Sequence, residues 1–376
     1  MRHGFSLTVG RGGIIIRDEV IDMDHGFLAA AERHLNKYPL SSAADLCKLA
    51  YQAEFGPEHI IHASGGVLRG IERELPSLPR NAETESEYIG GGMCRVPVSF
   101  AAREDDARLL AEAVFQSASR RRGTLEGLEG KLASVRDLAP DGFDAFVDAW
   151  RKSGFESLHH SEGYRRAYAP HYRLVCADIA AVLPLLSLIR ARETAGRRSL
   201  VAVDGRCGCG KTHISAVMAQ LLGCSVIHMD DFYLPTERRA ANWRELVGGN
   251  MDFARLRGEV IDPLLRGGEA TCRAYDCRNG AFGEPRKLAP AATYIVEGSY
   301  CMHPAMGDIY DFSLFVTAPR ELQRERLAAR EGDHFEAFEE LWIPAEERYF
   351  EACGVEGRCG CTLVSFPDGD VRLEMK

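Results

Sequence analysis

The sequence predicts an α/β fold: a five-stranded, mainly parallel sheet flanked by helices, preceded by a mainly α N-terminal domain. Three observations carry this expectation. Residues 199–212 read SLVAVDGRCGCGKT, an apolar run closed by a glycine-rich turn. After it, short apolar runs alternate with helical patterns, the rhythm of parallel strands joined by crossover helices. Before it, apolar residues recur at helical spacing with few interruptions. The polar stretch 191–198 (ARETAGRR) separates the two styles and is the expected boundary between domains 1–190 and 191–376.

Composition narrows the function classes. With 45% hydrophobic and 27% charged residues, the 376-residue chain can bury real cores. Its formal charge of −9 argues against a nucleic-acid-binding surface. No apolar run approaches the ~20 residues of a membrane span. The first twenty residues lack the features of a secretion signal, so a cytoplasmic location is expected. The twelve cysteines are then expected to be reduced thiols. Two pairs, Cys207-Gly-Cys209 and Cys359-Gly-Cys361, each follow an arginine. Small-residue packing is the expectation for them, with redox control or metal binding as alternatives. Association with a second copy of the chain is left open.

In the first half, residues 4–9 and 13–17 suggest two short strands. Ser41 or Ser42 caps a helix over 43–54, where Leu46, Leu49, Ala50 and Ala53 share a face and Gly56-Pro57 stops it. Glu58, His59 and His62 follow, read as structural rather than as metal ligands for want of a third ligand. Further helices are expected over 67–74, 103–119, 125–138, 143–152 and 172–190. A strand over 93–100 follows three glycines, and Pro97 suggests an edge position for it. The basic and aromatic residues between Tyr164 and Arg173 read as an amphipathic helix with a solvated basic face.

The motif itself is G-x-x-x-x-G-K-[ST], filled by Gly205, Gly210, Lys211 and Thr212 between a strand and a helix over 213–222. Such a loop turns successive N–H groups, here including those of Gly208, Cys209 and His213, toward one phosphate, and the helix adds its positive N-terminal end. Lys211 would reach the β/γ-phosphates and the Thr212 hydroxyl would bind Mg²⁺. The residues imply a bound nucleoside triphosphate.

The next strand, over 224–228, ends in Met229-Asp230-Asp231-Phe232-Tyr233. Ligands of open α/β sheets gather at the carboxyl ends of strands, so Asp230 can take a proton from a hydroxyl or help hold Mg²⁺. Residues 234–290 interrupt the rhythm and are placed at an acceptor pocket, with a helix over 253–265. Tyr233, Asp252, Arg255, Tyr275 and Asp276 are its polar candidates. The third strand, over 293–297, ends in Glu297, where a second Mg²⁺-coordinating acid belongs. A fourth strand over 311–317 precedes a helix over 320–331, on which Arg326 and Arg330 share a face and could close over the triphosphate. Residues 335–350 are helical with a break at Pro344, and 361–366 form the fifth strand.

The segments VAVDGRCGCGKT, HMDDFYLP, YDC, YIVEGSYCMHP and YDFSLFV, followed by an arginine-bearing helix and WIPAEERYF, occur in an order that resembles the uridine kinase-like branch of the phosphate-loop kinases. That branch includes phosphoribulokinase and bacterial pantothenate kinase. The resemblance spans about residues 198–366 and none of the first half. It implies ATP and Mg²⁺ as cofactors, with Asp230 activating an acceptor hydroxyl and Lys211 contacting the transferring phosphate. It further implies Thr212, Glu297 and Asp230 at the metal, and Arg326 and Arg330 in a lid. The chemistry implied is in-line γ-phosphoryl transfer, carried by positioning and charge neutralisation. Uridine kinases carry N-F-D-H-P-x-A-F-D after the base and His-x-Arg after the tyrosine-aspartate pair. Here those places read GGNMDFARLR and RNGAF.

The expected function is an ATP- and Mg²⁺-dependent small-molecule kinase, with uridine or another nucleoside as first acceptor to try. A pantothenate- or sugar-type alcohol is the alternative. In another class, a nucleotide-gated regulator would bind ATP while the first half acts on a partner.

Overall fold

The computed structural model describes residues 23–57, 64–79, 82–277 and 279–376. The two strands expected near the start, and Glu58, His59 and His62, lie outside the described residues.

The first half begins with helices α1 (Met23–Lys37), α2 (Ala43–Phe55) and α3 (Ser64–Glu74). Ser42 caps α2, its N–H and hydroxyl donating to Asp45 Oδ2 at 3.0 and 2.7 Å. Leu46, Leu49, Ala50 and Ala53 are buried together, the face their spacing predicts. Strands β1 (Glu87–Tyr88) and β2 (Met93–Pro97) follow, then helices α4 (Glu104–Arg120), α5 (Leu125–Ser134), α6 (Phe143–Lys152) and α7 (Glu162–Tyr168). Strand β3 (Tyr172–Cys176) and helix α8 (Ala177–Thr194) close this half.

Two expectations are corrected here. Residues 172–176 are a strand, because β2 offers them a ladder and they pair with it from Met93↔Cys176 to Pro97↔Tyr172. Pairing overrides helical periodicity, and the helix starts only at Ala177. Strand β2 is also central in the β1-β2-β3 sheet rather than an edge. Pro97 takes its last position, where the ladder ends.

The second half contains β4 (Ser199–Gly205), α9 (Lys211–Leu222) and β5 (Ser225–His228). An insertion follows: α10 (Phe253–Leu256) passes through a π turn into α11 (Asp262–Leu265). Two small ribbons then form from β6 (Thr271–Cys272), β7 (Tyr275–Asp276), β8 (Ala281–Phe282) and β9 (Arg286–Lys287). The regular pattern resumes with β10 (Thr293–Glu297), β11 (Phe312–Thr317) and α12 (Arg320–Glu331). Helix α13 (Phe335–Ala337), a π turn (Phe338–Trp342), α14 (Ile343–Cys353) and α15 (Val355–Arg358) lead to β12 (Cys361–Ser365) and β13 (Val371–Met375). Pro344 falls in the first turn of α14, just after the π turn.

The sheet runs β13-β12-β11-β4-β10-β5. The five expected strands are mutually parallel. The expected count is corrected to six, since β13 folds back antiparallel on β12.

Both faces of this sheet are covered, which is why its strands read as unbroken apolar runs. Val201, Val203, Leu314 and Val316 join one cluster with α8, α9 and the helices of the first half. Their neighbours Leu200, Ala202 and Phe315 join the opposite cluster, with Phe232, Leu256 and Tyr349. Helix α8 runs through residue 190, and its buried Leu183 and Leu186 share the first cluster with Val201. No described helix is long and apolar enough to cross a membrane.

Candidate active site

Strand β4 is buried throughout and feeds directly into the loop. At Gly205 (φ +136°), an added Cβ would stand 2.0 Å from Val316 O, so only glycine lets β11 pass this closely. At Gly208 (φ +73°), an added Cβ would stand 2.7 Å from Leu327 Cγ on α12. Gln323 of α12 donates to Cys207 O at 2.9 Å and pins the loop from the same side. Gly210 is the N-cap of α9.

Asp204 braces the loop from inside. Its Oδ1 accepts the Gly205 N–H at 2.8 Å, and its Oδ2 accepts the Met302 N–H at 3.0 Å and the Tyr349 hydroxyl at 2.7 Å. Burial pushes this carboxyl above its ordinary value despite those bonds.

Lys211 is buried and donates to Gly205 O at 2.8 Å. Burial opposes its charge, but Glu346 and then Asp204 outweigh it and hold the ammonium above its ordinary pKa. Thr212 Oγ1 donates to Glu297 Oε1 at 2.9 Å, and Glu297 Oε2 meets His228 Nδ1 at 2.6 Å. That contact with Glu297 raises the His228 imidazole above its ordinary value. Asp230 lies in the turn after β5, open to solvent on one side. The protein around it raises its carboxyl; the Tyr233 hydroxyl, donating to Oδ1 at 2.9 Å, works the other way, and Glu297 adds to the rise. The ends of β5 and β10 and the first turn of α9 thus bring Asp230, Glu297 and Thr212 near Lys211.

No protein-family model and no curated protein matches this sequence. Among solved structures, one described as a possible uridine kinase from Bacillus stearothermophilus is similar at 20% identity and TM-score 0.38. That likeness covers 48% of this chain and 96% of the other. A candidate fructose transport system kinase from Silicibacter sp. TM1040 is similar at 24% identity and TM-score 0.38, over 45% and 94% of the two chains. At that distance, the chemistry of the site rests on its own residues.

The remaining candidates divide. Asp252 is buried, caps α10 by accepting the Arg255 N–H at 3.1 Å, and accepts Arg238 Nη1 at 3.1 Å. Arg255 lies over the Phe232 ring (4.4 Å) and donates to Asp231 O and Arg273 O, both at 2.5 Å. Tyr275 is buried against Phe282, while Asp276 is exposed on its ribbon and bonded to Asn279. Arg255 thus braces the turn that carries Asp230, through Phe232 and Asp231. Arg326 is half-buried beside the loop, where burial lowers its pKa although Cys209 acts against this. Arg330 is exposed, paired with Glu331 at 2.6 Å and set over Phe338. His213 Nε2 donates to Asp178 at 2.6 Å, a carboxylate that Arg120 also meets at 2.6 Å, tying the first turn of α9 to the first half.

Four residues of the site escaped sequence reasoning. Glu346 Oε2 accepts the Cys207 N–H at 2.8 Å, and its Oε1 accepts the Ser299 hydroxyl at 2.5 Å. His228 and Asp204 are the others. Ser299 and Glu346 stand inside VEGSY and PAEERYF, so a signal was present without a role attached.

All twelve cysteines are free. Burial lifts the Cys209 thiol to about 11 and the Cys359 thiol to about 12, which suits packing rather than thiolate chemistry. Among the described residues no group of three or more His, Cys, Asp or Glu is set to hold a metal ion.

Proposed function

We propose that this protein is an ATP- and Mg²⁺-dependent kinase that transfers the γ-phosphoryl group to a hydroxyl of a small molecule. The convergence of Lys211, the Thr212–Glu297 pair and Asp230 at the mouth of one glycine-rich loop carries this reading. The loop's fit to an anion is supported by a carboxylate, that of Glu346, already on its Cys207 N–H. The oxygen donors of Thr212, Glu297 and Asp230 suit a hard cation that keeps several waters.

Bound Mg-ATP would supply the phosphoryl group and the charge-neutralising cation. The chain's residues do the rest. Lys211 and the loop N–H groups would hold phosphate oxygens; Thr212 and Glu297 would hold the cation. Asp230 accepts the proton of the acceptor hydroxyl, using Oδ2 while Tyr233 occupies Oδ1. Arg326 closes on the loop from α12. Uridine or another nucleoside is the first acceptor to try, with a pantothenate- or sugar-type alcohol as rival.

A second reading, a nucleotide-gated regulator, is favoured by the bond from His213 to Asp178 across the two halves. Incubating the protein with Mg-ATP and a panel of nucleosides, sugars and vitamin alcohols separates the two. The kinase reading expects one phosphorylated product by mass, whereas the regulator expects slow ATP hydrolysis with no acceptor effect.

A further inference from the structure

The helix α14 presents a buried carboxylate to the loop. Glu346 is 8% exposed, and both its oxygens are engaged: one takes the Cys207 N–H, the other the Ser299 hydroxyl. Ser299 Oγ lies 3.3 Å from Gly205 O, the same carbonyl that receives Lys211. The loop's ammonium and one of its N–H groups are therefore satisfied by the protein's own oxygens. An N–H of a glycine-rich loop aimed at an anionic oxygen is what a phosphate would receive. A neutral side chain would satisfy the same N–H and hydroxyl, so the charge of Glu346 needs its own account.

We infer that Glu346 is an internal occupant of the phosphate site, and that a triphosphate is admitted only by displacing its carboxylate. This rests on the reading of the loop as a nucleotide site. Two anions cannot share the Cys207 N–H and the neighbourhood of Lys211 without repulsion, and water is largely excluded there. Withdrawal needs no loss of the helix. Tyr349 stays bonded to Asp204 at 2.7 Å, and Glu347 stays paired with Arg206 at 2.7 Å, so rotation of one side chain opens the loop. The apparent affinity for polyphosphate is then reduced by the fraction of molecules in which Glu346 is away. The device sets a threshold: weakly charged anions leave Glu346 in place, while a polyphosphate with bound cation displaces it.

The test compares wild type, Glu346→Gln and Ser299→Ala for binding of Mg-ATP and of inorganic tripolyphosphate by titration calorimetry. Glu346→Gln keeps the shape and an acceptor oxygen but removes the charge. It is expected to tighten both ligands about tenfold or more. Ser299→Ala removes one anchor of the carboxylate and is expected to tighten both by a smaller factor, and it decides the matter should Glu346→Gln fail to fold. If wild type binds Mg-ATP and neither variant binds it more tightly, the inference is overturned while the nucleotide site stands. If none of the three binds either ligand, the reading of the loop falls and takes the inference with it.

Discussion

Two regions of this protein bury charged groups, and they differ in how their partners are supplied. In the first half, Arg95 of β2 is 2% exposed; its Nε and Nη2 donate to Gln52 Oε1 at 3.1 and 2.7 Å. Its Nη1 lies 3.3 Å from His34 Nδ1 and 3.8 Å from Glu87, and its guanidinium covers the Tyr172 ring. Tyr172 in turn meets His160, which meets Asp45 at 2.9 Å. Every arm of this network ends on a side chain of the same region. At the loop, Lys211 rests on a backbone carbonyl, and one nearby carboxylate, that of Glu346, can be re-aimed. A charge closed by permanent partners specifies a fold. A charge held by exchangeable ones is ready for a ligand.

The contrast predicts different failures. Between the two regions the larger effect is on catalysis: Lys211→Ala should lower phosphoryl transfer by about 10²–10³-fold, since a donor aimed at developing charge is lost. Steady-state turnover with whichever acceptor the panel reveals reads this. Arg95→Ala should instead cost about 3–5 kcal/mol of stability by leaving buried polar partners unpaired. Urea unfolding should show the loss, and the folded fraction should bind Mg-ATP as wild type does. Equal ATP weakening in both variants would erase the distinction between the regions.

Asp45 sharpens the same comparison. Burial works against its charge, but His160, Ser161 and Ser42 prevail and hold the carboxyl well below its ordinary value. A depressed carboxyl contributes stability above its unfolded pKa of ~3.9, and that contribution is lost as pH falls toward the folded value. Wild type should therefore lose stability on acidification below about pH 4 more steeply than Asp45→Asn, as measured by thermal unfolding against pH. The smallest effects concern the α12 arginines. Arg326→Ala should slow turnover by roughly tenfold, whereas Arg330→Ala, already paired with Glu331, should stay within about twofold.

Much of the second half was legible in the sequence because its strands are buried on both faces and show as apolar runs. Fixed spacing likewise located Gly205, Gly210, Lys211 and Thr212. Strand β13 was missed because only Val371 and Leu373 are half-buried, too little pattern to read. Helix α7, seven residues long, shows barely two turns of periodicity. The Tyr172–Cys176 strand reads as helix from its spacing because its partner, β2, lies 75 or more positions upstream. Glu346 meets Cys207 across 139 positions, and Arg95 meets Gln52 across 43; such contacts exist only once the chain has folded. The cap that Asp252 forms on α10 and the packing of Tyr275 on Phe282 are likewise contacts that residue type alone does not reveal.

The central claim is that Asp230 works on an acceptor at a loop charged with ATP. The most direct measurement is ATP consumption with Mg²⁺ across the acceptor panel, with wild type and Asp230→Ala side by side. The account predicts that one acceptor stimulates wild-type turnover strongly and that Asp230→Ala removes that stimulation by about 10²–10⁴-fold while ATP still binds. Tight ATP binding with no acceptor effect, and no difference between the two proteins, would contradict it.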